Sequence, residues 1–196
     1  MEKNEEVAGK TVNGRSCRGN METAPAESVE MLPVVDEEGK VLDKAPRTLC
    51  HGGSFLLHPV IHLHLLDKDG NILLQKRSMT KQLLPGYWDS AVGGHIQYGE
   101  KIEEALQRET FEEIGVTEFE PESCGKYVWQ SDTDRELVYS FVCSKYNRIV
   151  IDNDEVDEAR FWSREEIEEA SGRGILTPNF EFEYQHLLKN TNPGLH

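Results

Sequence analysis

The chain has 196 residues, 21 Lys and Arg against 36 Asp and Glu, and a formal net charge of -15. That length allows one full hydrophobic core with little left for a second domain. The charge disfavours sequence-independent binding to nucleic acid or to an anionic membrane. The cysteines Cys17, Cys50, Cys124 and Cys143 form no CxxC pair and no regular framework. That is the pattern of unpaired thiols in a reducing compartment. No apolar run approaches the roughly 18 residues of a membrane span, so a cytoplasmic protein is expected.

Residues 1–30 hold hardly a large apolar side chain and cannot offset the entropy of ordering, so they read as a disordered tail. Residues 31–190 read as one domain and 191–196 as a flexible end. From Met31, the run MLPVVDEEGKVLDKA reads as a hairpin turning at Glu37, Glu38 and Gly39. In HPVIHLHLL, residues 58–66, the side chains of Ile61, Leu63 and Leu65 share one face. The turn 67–70 leads from there into residues 72–76 as a second hairpin. Pro85 and Gly86 break the chain before a short strand around residues 88–94. A helix is expected from Lys101 to Ile114, where there is neither Pro nor Gly. Further strands are expected near 125–130, 136–143 and 159–162, with 152–158 as an acidic loop. Ser163 and Glu166 make a capping box for a helix ending near Ser171, and Thr177 before Pro178 opens a terminal helix to about Lys189. Strands, one central helix, more strands and closing helices describe an α/β fold with a mixed sheet sandwiched by helices.

The central helix carries the chemistry. At about 100° per residue, Glu109, Glu112 and Glu113 fall within roughly a 100° arc. Like charges on neighbouring turns cost about 0.2 to 0.5 kcal/mol when exposed and more when half-buried, so the cluster calls for a cation. Hard oxygen ligands select Mg²⁺ or Mn²⁺. Arg108 stands four residues before Glu112 and is placed to pair with it. Ile102, Ala105 and Leu106 continue the inward side, while Phe111 and Ile114 point elsewhere, so the helix reads as covered on more than one side. The alternative is an ordinary acidic helix in an acidic protein.

From Gly94 the spacing is Gly, five residues, Glu100, seven residues, Arg108, Glu109, Thr110, one residue, Glu112, Glu113, one residue, Gly115, Val116. Every specified position of the Nudix box is filled, and the chain resembles Nudix proteins over about residues 31–189. The resemblance implies a Nudix-like α/β/α sandwich. It also implies metal-dependent hydrolysis of a small-molecule diphosphate, a nucleoside diphosphate derivative or a similar compound. Glu109 and Glu113 would be metal ligands and Glu112 a ligand or general base, with Glu100 in support at the helix start. In several Nudix hydrolases the base lies on a distal loop, where this chain has Glu155 and Glu158; a solvated acidic loop is the alternative.

The run LLQKRSMTKQLLPGYWDSAVGGH resembles type 1 isopentenyl-diphosphate isomerases and an isomerase-like branch of Nudix hydrolases. By that resemblance Arg77 and Lys81 hold the diphosphate, one as a guanidinium fork and the other as a point charge. The isomerases place a catalytic Cys directly before the box glycine, where this chain has Gly93. They also degrade the segment that Arg108, Glu109, Glu112 and Glu113 keep intact. The hydrolase reading therefore stands ahead of an isomerase, and ahead of a non-enzymatic ligand sensor. The isomerase pattern further implies a second divalent metal at His51, His58, His95, Asp134 and Glu136, suited to Zn²⁺, Mn²⁺ or Fe²⁺. His62 and His64 lie off that pattern.

Overall fold

A computed structural model describes residues 29–81, 83–151 and 156–189. Apart from Val29 and Glu30, the tail expected at 1–30 lies outside the described residues, as does the end expected at 191–196. The first hairpin forms as expected, with β1 (Met31–Val35) antiparallel to β2 (Val41–Pro46). A single helical turn, α1 (Arg47–Cys50), follows it. Four residues are too few for any periodicity, so this turn leaves no pattern along the chain.

The core of the sandwich is β3 (Leu57–Leu65), buried along its whole length. It runs parallel to β8 (Arg135–Cys143), with β6 (Val92–His95) and β7 (Glu122–Gln130) antiparallel on the flanks, in the order β6-β3-β8-β7. A second, antiparallel sheet has the order β5-β4-β9, from β5 (Trp88–Ser90), β4 (Ile72–Arg77) and β9 (Val156–Trp162).

Three expectations change here. The turn at 67–70 closes, with Asp67 N–H donating to Asn71 O at 3.0 Å, but β3 and β4 meet through the bridge Leu66–Ile72 and then part into different sheets. Both edges of β3 are taken by β6 and β8, so no ladder with β4 can extend. The expected strand at 88–94 is two strands, because the chain changes sheets at the fully buried Ala91. Residues 156–158, expected as loop, begin β9; the rest of that acidic stretch, 152–155, lies outside the described residues.

Alternation along β3 sends Ile61, Leu63 and Leu65 to one side, where they pack with Ala105 and Leu106 of α2 (Ile102–Ile114). On the other side, Ile167 of α3 (Arg164–Ala170) and Phe180 of α4 (Pro178–Glu183) cover Leu74, Trp88, Val142 and Trp162. Helices on both faces make the α/β/α sandwich. The caps of α3 and α4 form as expected, with Ser163 and Thr177 accepting from the N–H groups of Glu166 and Phe180. The terminal helix is not uniform: α4 passes into a π-helical turn at Tyr184–Leu188, closed by Lys189 N–H on Tyr184 O at 2.8 Å. On α2, Ile114 is buried beneath the segment carrying Ile149 and Ile151, whose Val150 N–H donates to Ile114 O at 2.8 Å. Phe111, expected on a second covered side, is 58% exposed. That side is covered at Ile114 and open at Phe111.

Cys50, Cys124 and Cys143 are free thiols. Among the described residues, no helix is long and apolar enough to cross a membrane.

Candidate metal and substrate site

The box helix begins with Lys101 N–H donating to Glu104 and ends at Gly115, whose φ of 65° makes the left-handed cap. Between them Arg108 is a hub. Its Nε and Nη2 grip both oxygens of Glu100 at 2.8 and 2.9 Å, its Nη1 donates to Glu109 Oε1 at 2.6 Å, and its Nη2 donates to His95 O at 3.0 Å. The pairing expected with Glu112 is present but longer, at 3.3 Å. Fork geometry explains the preference, since Glu100 can accept two parallel N–H bonds. Glu100 also accepts from Gln97 N–H at 2.9 Å. Burial raises the Glu100 carboxyl, but Arg108 and the Gln97 N–H outweigh burial and hold it below the usual carboxylate range.

Glu109 has the opposite balance. Burial pushes its pKa up, against the pull of Arg108 and with the push of Glu112 and Glu100. It lies directly against Gly94 of β6, where any Cβ would overlap its carboxyl. A helix carboxylate therefore sits flush against a strand only because that strand position has no side chain. Glu113 Oε2 accepts from Gln75 Nε2 at 2.8 Å. Gln75 was not singled out from the sequence, although its place two residues before Arg77 on β4 puts both on one face.

Arg77 ends β4. Its Nη1 donates to Asp89 Oδ2 at 3.2 Å and its Nε to Leu83 O at 3.2 Å. Asp89 is in turn fixed by Thr177 Oγ1 at 2.8 Å, tying the arginine to the cap of α4. Lys81 is half-buried in the turn that follows, its N–H donating to Ser78 O at 3.0 Å. Trp88 is a core residue, edge-on to Trp162 at 5.1 Å between ring centroids. Glu158 is exposed on β9 opposite Lys76, and Glu155 lies outside the described residues.

The histidines converge. His51 follows α1, His58 is on β3 opposite Glu136 of β8, and His95 ends β6. One ligand atom from each of His51, His58, His95 and Glu136 lies within 4.8 Å of the others. Asp134 is not among them. It accepts from His51 Nδ1 at 2.7 Å and also from Ser131 Oγ, so it holds the histidine from behind. The hydrogen bonds set the tautomers: with Nδ1–H of His51 on Asp134 and Nδ1–H of His58 on Leu56 O at 3.0 Å, both Nε2 atoms carry lone pairs. His51 Nε2 faces His95 Nε2 at 2.8 Å, and His58 Nε2 is buried with no hydrogen-bond partner. Burial lowers the pKa of His58 and takes that of His95 well below the usual imidazole value. Burial also raises the pKa of Glu136. Imidazole nitrogens converging beside a carboxylate are a donor set that fits a divalent cation.

A sandwich with an arginine-locked carboxylate helix seated against a strand glycine is the arrangement of the Nudix class. The NUDIX domain family model matches residues 56–180. The chain is 31% identical over 147 residues to the protein named Uncharacterized Nudix hydrolase YfcD of Escherichia coli strain K12, covering 75% of this chain and 81% of that one. It is 37% identical over 95 residues to an isopentenyl-diphosphate Delta-isomerase of Leifsonia xyli subsp. xyli, a match that spans 48% of this chain and 50% of the isomerase. In fold it is similar to DR0079 from Deinococcus radiodurans, with a TM-score of 0.68 at 20% identity over 81% of this chain and 99% of that one. The chain belongs to the Nudix family and is a Nudix hydrolase, of the class that cleaves diphosphate bonds.

Proposed function

We propose that the enzyme hydrolyses the diphosphate linkage of a small molecule, a nucleoside diphosphate derivative or a similar diphosphate, with Mg²⁺ or Mn²⁺ held by Glu109, Glu112 and Glu113. The observation that supports this reading best is the Arg108 hub, which orders Glu100, Glu109 and Glu112 beside the side-chain-free Gly94. When bound, the cation neutralises phosphate oxygens and lowers the pKa of a water. Arg108 fixes the Glu109 rotamer and Gln75 that of Glu113. Glu112, whose side chain is 55% exposed, is the carboxylate placed to take a proton from an attacking water. Arg77 and Lys81 bind the phosphates, Arg77 exchanging its contact with Asp89 for a phosphate oxygen. A second divalent cation belongs among His51, His58, His95 and Glu136, with Asp134 orienting His51. Free thiols in the described chain favour the cytoplasm.

Isomerisation is disfavoured by Gly93, which can neither donate nor accept the proton that a double-bond shift moves. Phosphate or nucleotide release from a panel of diphosphates, with and without Mg²⁺ or Mn²⁺, tests the reading. Metal-dependent release on at least one is expected. No turnover by folded, metal-bound protein on the whole panel contradicts it and favours a ligand sensor.

A further inference from the structure

The side of β3 that faces away from α2 carries His58, His62 and His64. His58 belongs to the cluster above; His62 and His64 stand outside both sites described so far and form, with Glu183, a further buried group whose potential ligand atoms lie within 4.8 Å of one another. In register, His62 stands between Gly93 of β6 and Ser140 of β8. Gly93 is exposed, so the floor beside His62 is open. A Cβ there would lie 3.5 Å from His62 Cδ2, 3.7 Å from His62 Nε2 and 3.7 Å from Ser90 Oγ. The opening adjoins the histidine cluster, because His95, two residues on along β6, lies on the same face as Gly93, whereas Gly94 between them is turned to the other face and seats Glu109.

The other nitrogen of His62 is held from behind. Its Nδ1 lies 2.7 Å from Glu183 Oε2, and Glu183 Oε1 lies 3.1 Å from His64 Nε2. Glu183 is fully buried and sits where α4 gives way to the π-helical turn, with its carboxyl against His62 and His64 of β3. A carboxylate buried this deeply needs a partner charge. Burial by itself would strip the proton from His62, but the charge of Glu183 and its hydrogen bond outweigh burial and push the imidazole up to about 9. His62 is therefore a cation at neutral pH, with Nδ1–H on Glu183 and Nε2–H at the edge of the opening over Gly93.

We propose that His62 contacts the substrate and sets its class: Nε2–H donates to an oxygen of the organic group, which selects diphosphates carrying a sugar or nucleoside over those carrying a hydrocarbon chain. The inference rests on the diphosphate-hydrolase reading given above. A fixed charged donor gains a strong hydrogen bond from a hydroxyl or ring oxygen and loses its hydration, with nothing in return, beneath a hydrocarbon. Sites built around such a donor reject analogues that lack the acceptor. Gly93 supplies the room, and Glu183 supplies both orientation and charge.

The test compares ADP-ribose and UDP-glucose with isopentenyl and geranyl diphosphates, in Mg²⁺, for the wild type, His62→Gln and Gly93→Ala. His62→Gln keeps a side chain of similar length but removes the charge. Gly93→Ala leaves the His62–Glu183 pair intact, and its methyl makes ordinary contacts in the opening. The expected result is that His62→Gln raises KM for the better sugar nucleotide about tenfold, with kcat changed less than about threefold and no rise in KM for the hydrocarbon diphosphates. Gly93→Ala should raise the same KM at an unchanged melting temperature, and it decides the matter if His62→Gln does not fold. An unchanged KM for the sugar nucleotide, or an equal change for both substrate types, overturns the proposal. If the wild type hydrolyses none of the four, the full diphosphate panel described above judges the hydrolase reading separately. The ¹⁵N imidazole signals of the wild type then decide: a His62 Nε2 shift with ADP-ribose and not with geranyl diphosphate supports the contact, and no shift overturns it.

Discussion

Arg108 and Glu100 are joined by two parallel hydrogen bonds of 2.8 and 2.9 Å across the start of the box helix. The same guanidinium reaches Glu109 and the carbonyl of His95, so one side chain ties the carboxylate helix to the strand that ends in the histidine cluster. A lysine at position 108 keeps the charge but cannot make the fork. Arg108→Lys is therefore expected to lower kcat at least about tenfold and to weaken Mg²⁺ activation, while a Glu112→Gln variant leaves the fork in place. Metal titration of the initial rate checks this; an unchanged activation curve contradicts it.

Gly94→Ala puts a methyl group where the Glu109 carboxyl lies. The carboxyl is the end of a flexible side chain, so it moves and the fold survives. Overpacking of this kind costs about 1 to 3 kcal/mol. The expected outcome is a lowered melting temperature with a rate loss out of proportion to it, at least about a hundredfold, read by thermal unfolding and steady-state kinetics on the same sample.

The His62–Glu183 pair makes stability depend on pH. His62 is raised from 6.5 to about 9, so its contribution is full below pH 6.5 and is lost as pH rises through about 9. Glu183 is depressed: burial opposes this, but the charges of His64 and His62 prevail. Its contribution is present above pH 4.5 and is lost as pH falls through its folded value. Between pH 6.5 and 9 the wild type is expected to lose on the order of 3 kcal/mol that His62→Gln does not lose. Denaturant unfolding across that range measures the difference, and parallel curves contradict it.

The triple variant His51→Ala, His58→Ala, His95→Ala removes three of the four converging ligands. Metal analysis after gentle purification is expected to show one divalent ion fewer per chain than in the wild type. Equal content and equal affinity would return these histidines to a hydrogen-bonded structural role.

Much of this was legible because the residues concerned are local. The box spacing, the capping box at Ser163 and the turn at 67–70 are all set within a few neighbours. The histidine cluster was reachable through resemblance; in the structure one ligand atom from each of His51, His58, His95 and Glu136 lies within 4.8 Å of the others, with Asp134 behind His51. What could not be read are choices settled by distant contacts. The parting of β3 from β4 depends on β8, some seventy residues on, occupying an edge of β3. The preference of Arg108 for Glu100 depends on how the chain turns between Gln97 and Lys101. Glu183 pairs with a histidine 121 residues away, and no period or motif announces that. Phe111 is exposed where cover was expected, because apolar character does not reveal which side of a helix a neighbour will cover.

The most direct measurement is the Mg²⁺-dependent rate of diphosphate cleavage by Glu112→Gln and Glu113→Gln, each shown to fold by its melting temperature. Gln keeps the shape and removes the charge. The account predicts that each loses at least about a hundredfold in kcat with its fold intact. Near wild-type rates with the same metal dependence in both would contradict the assignment of the site.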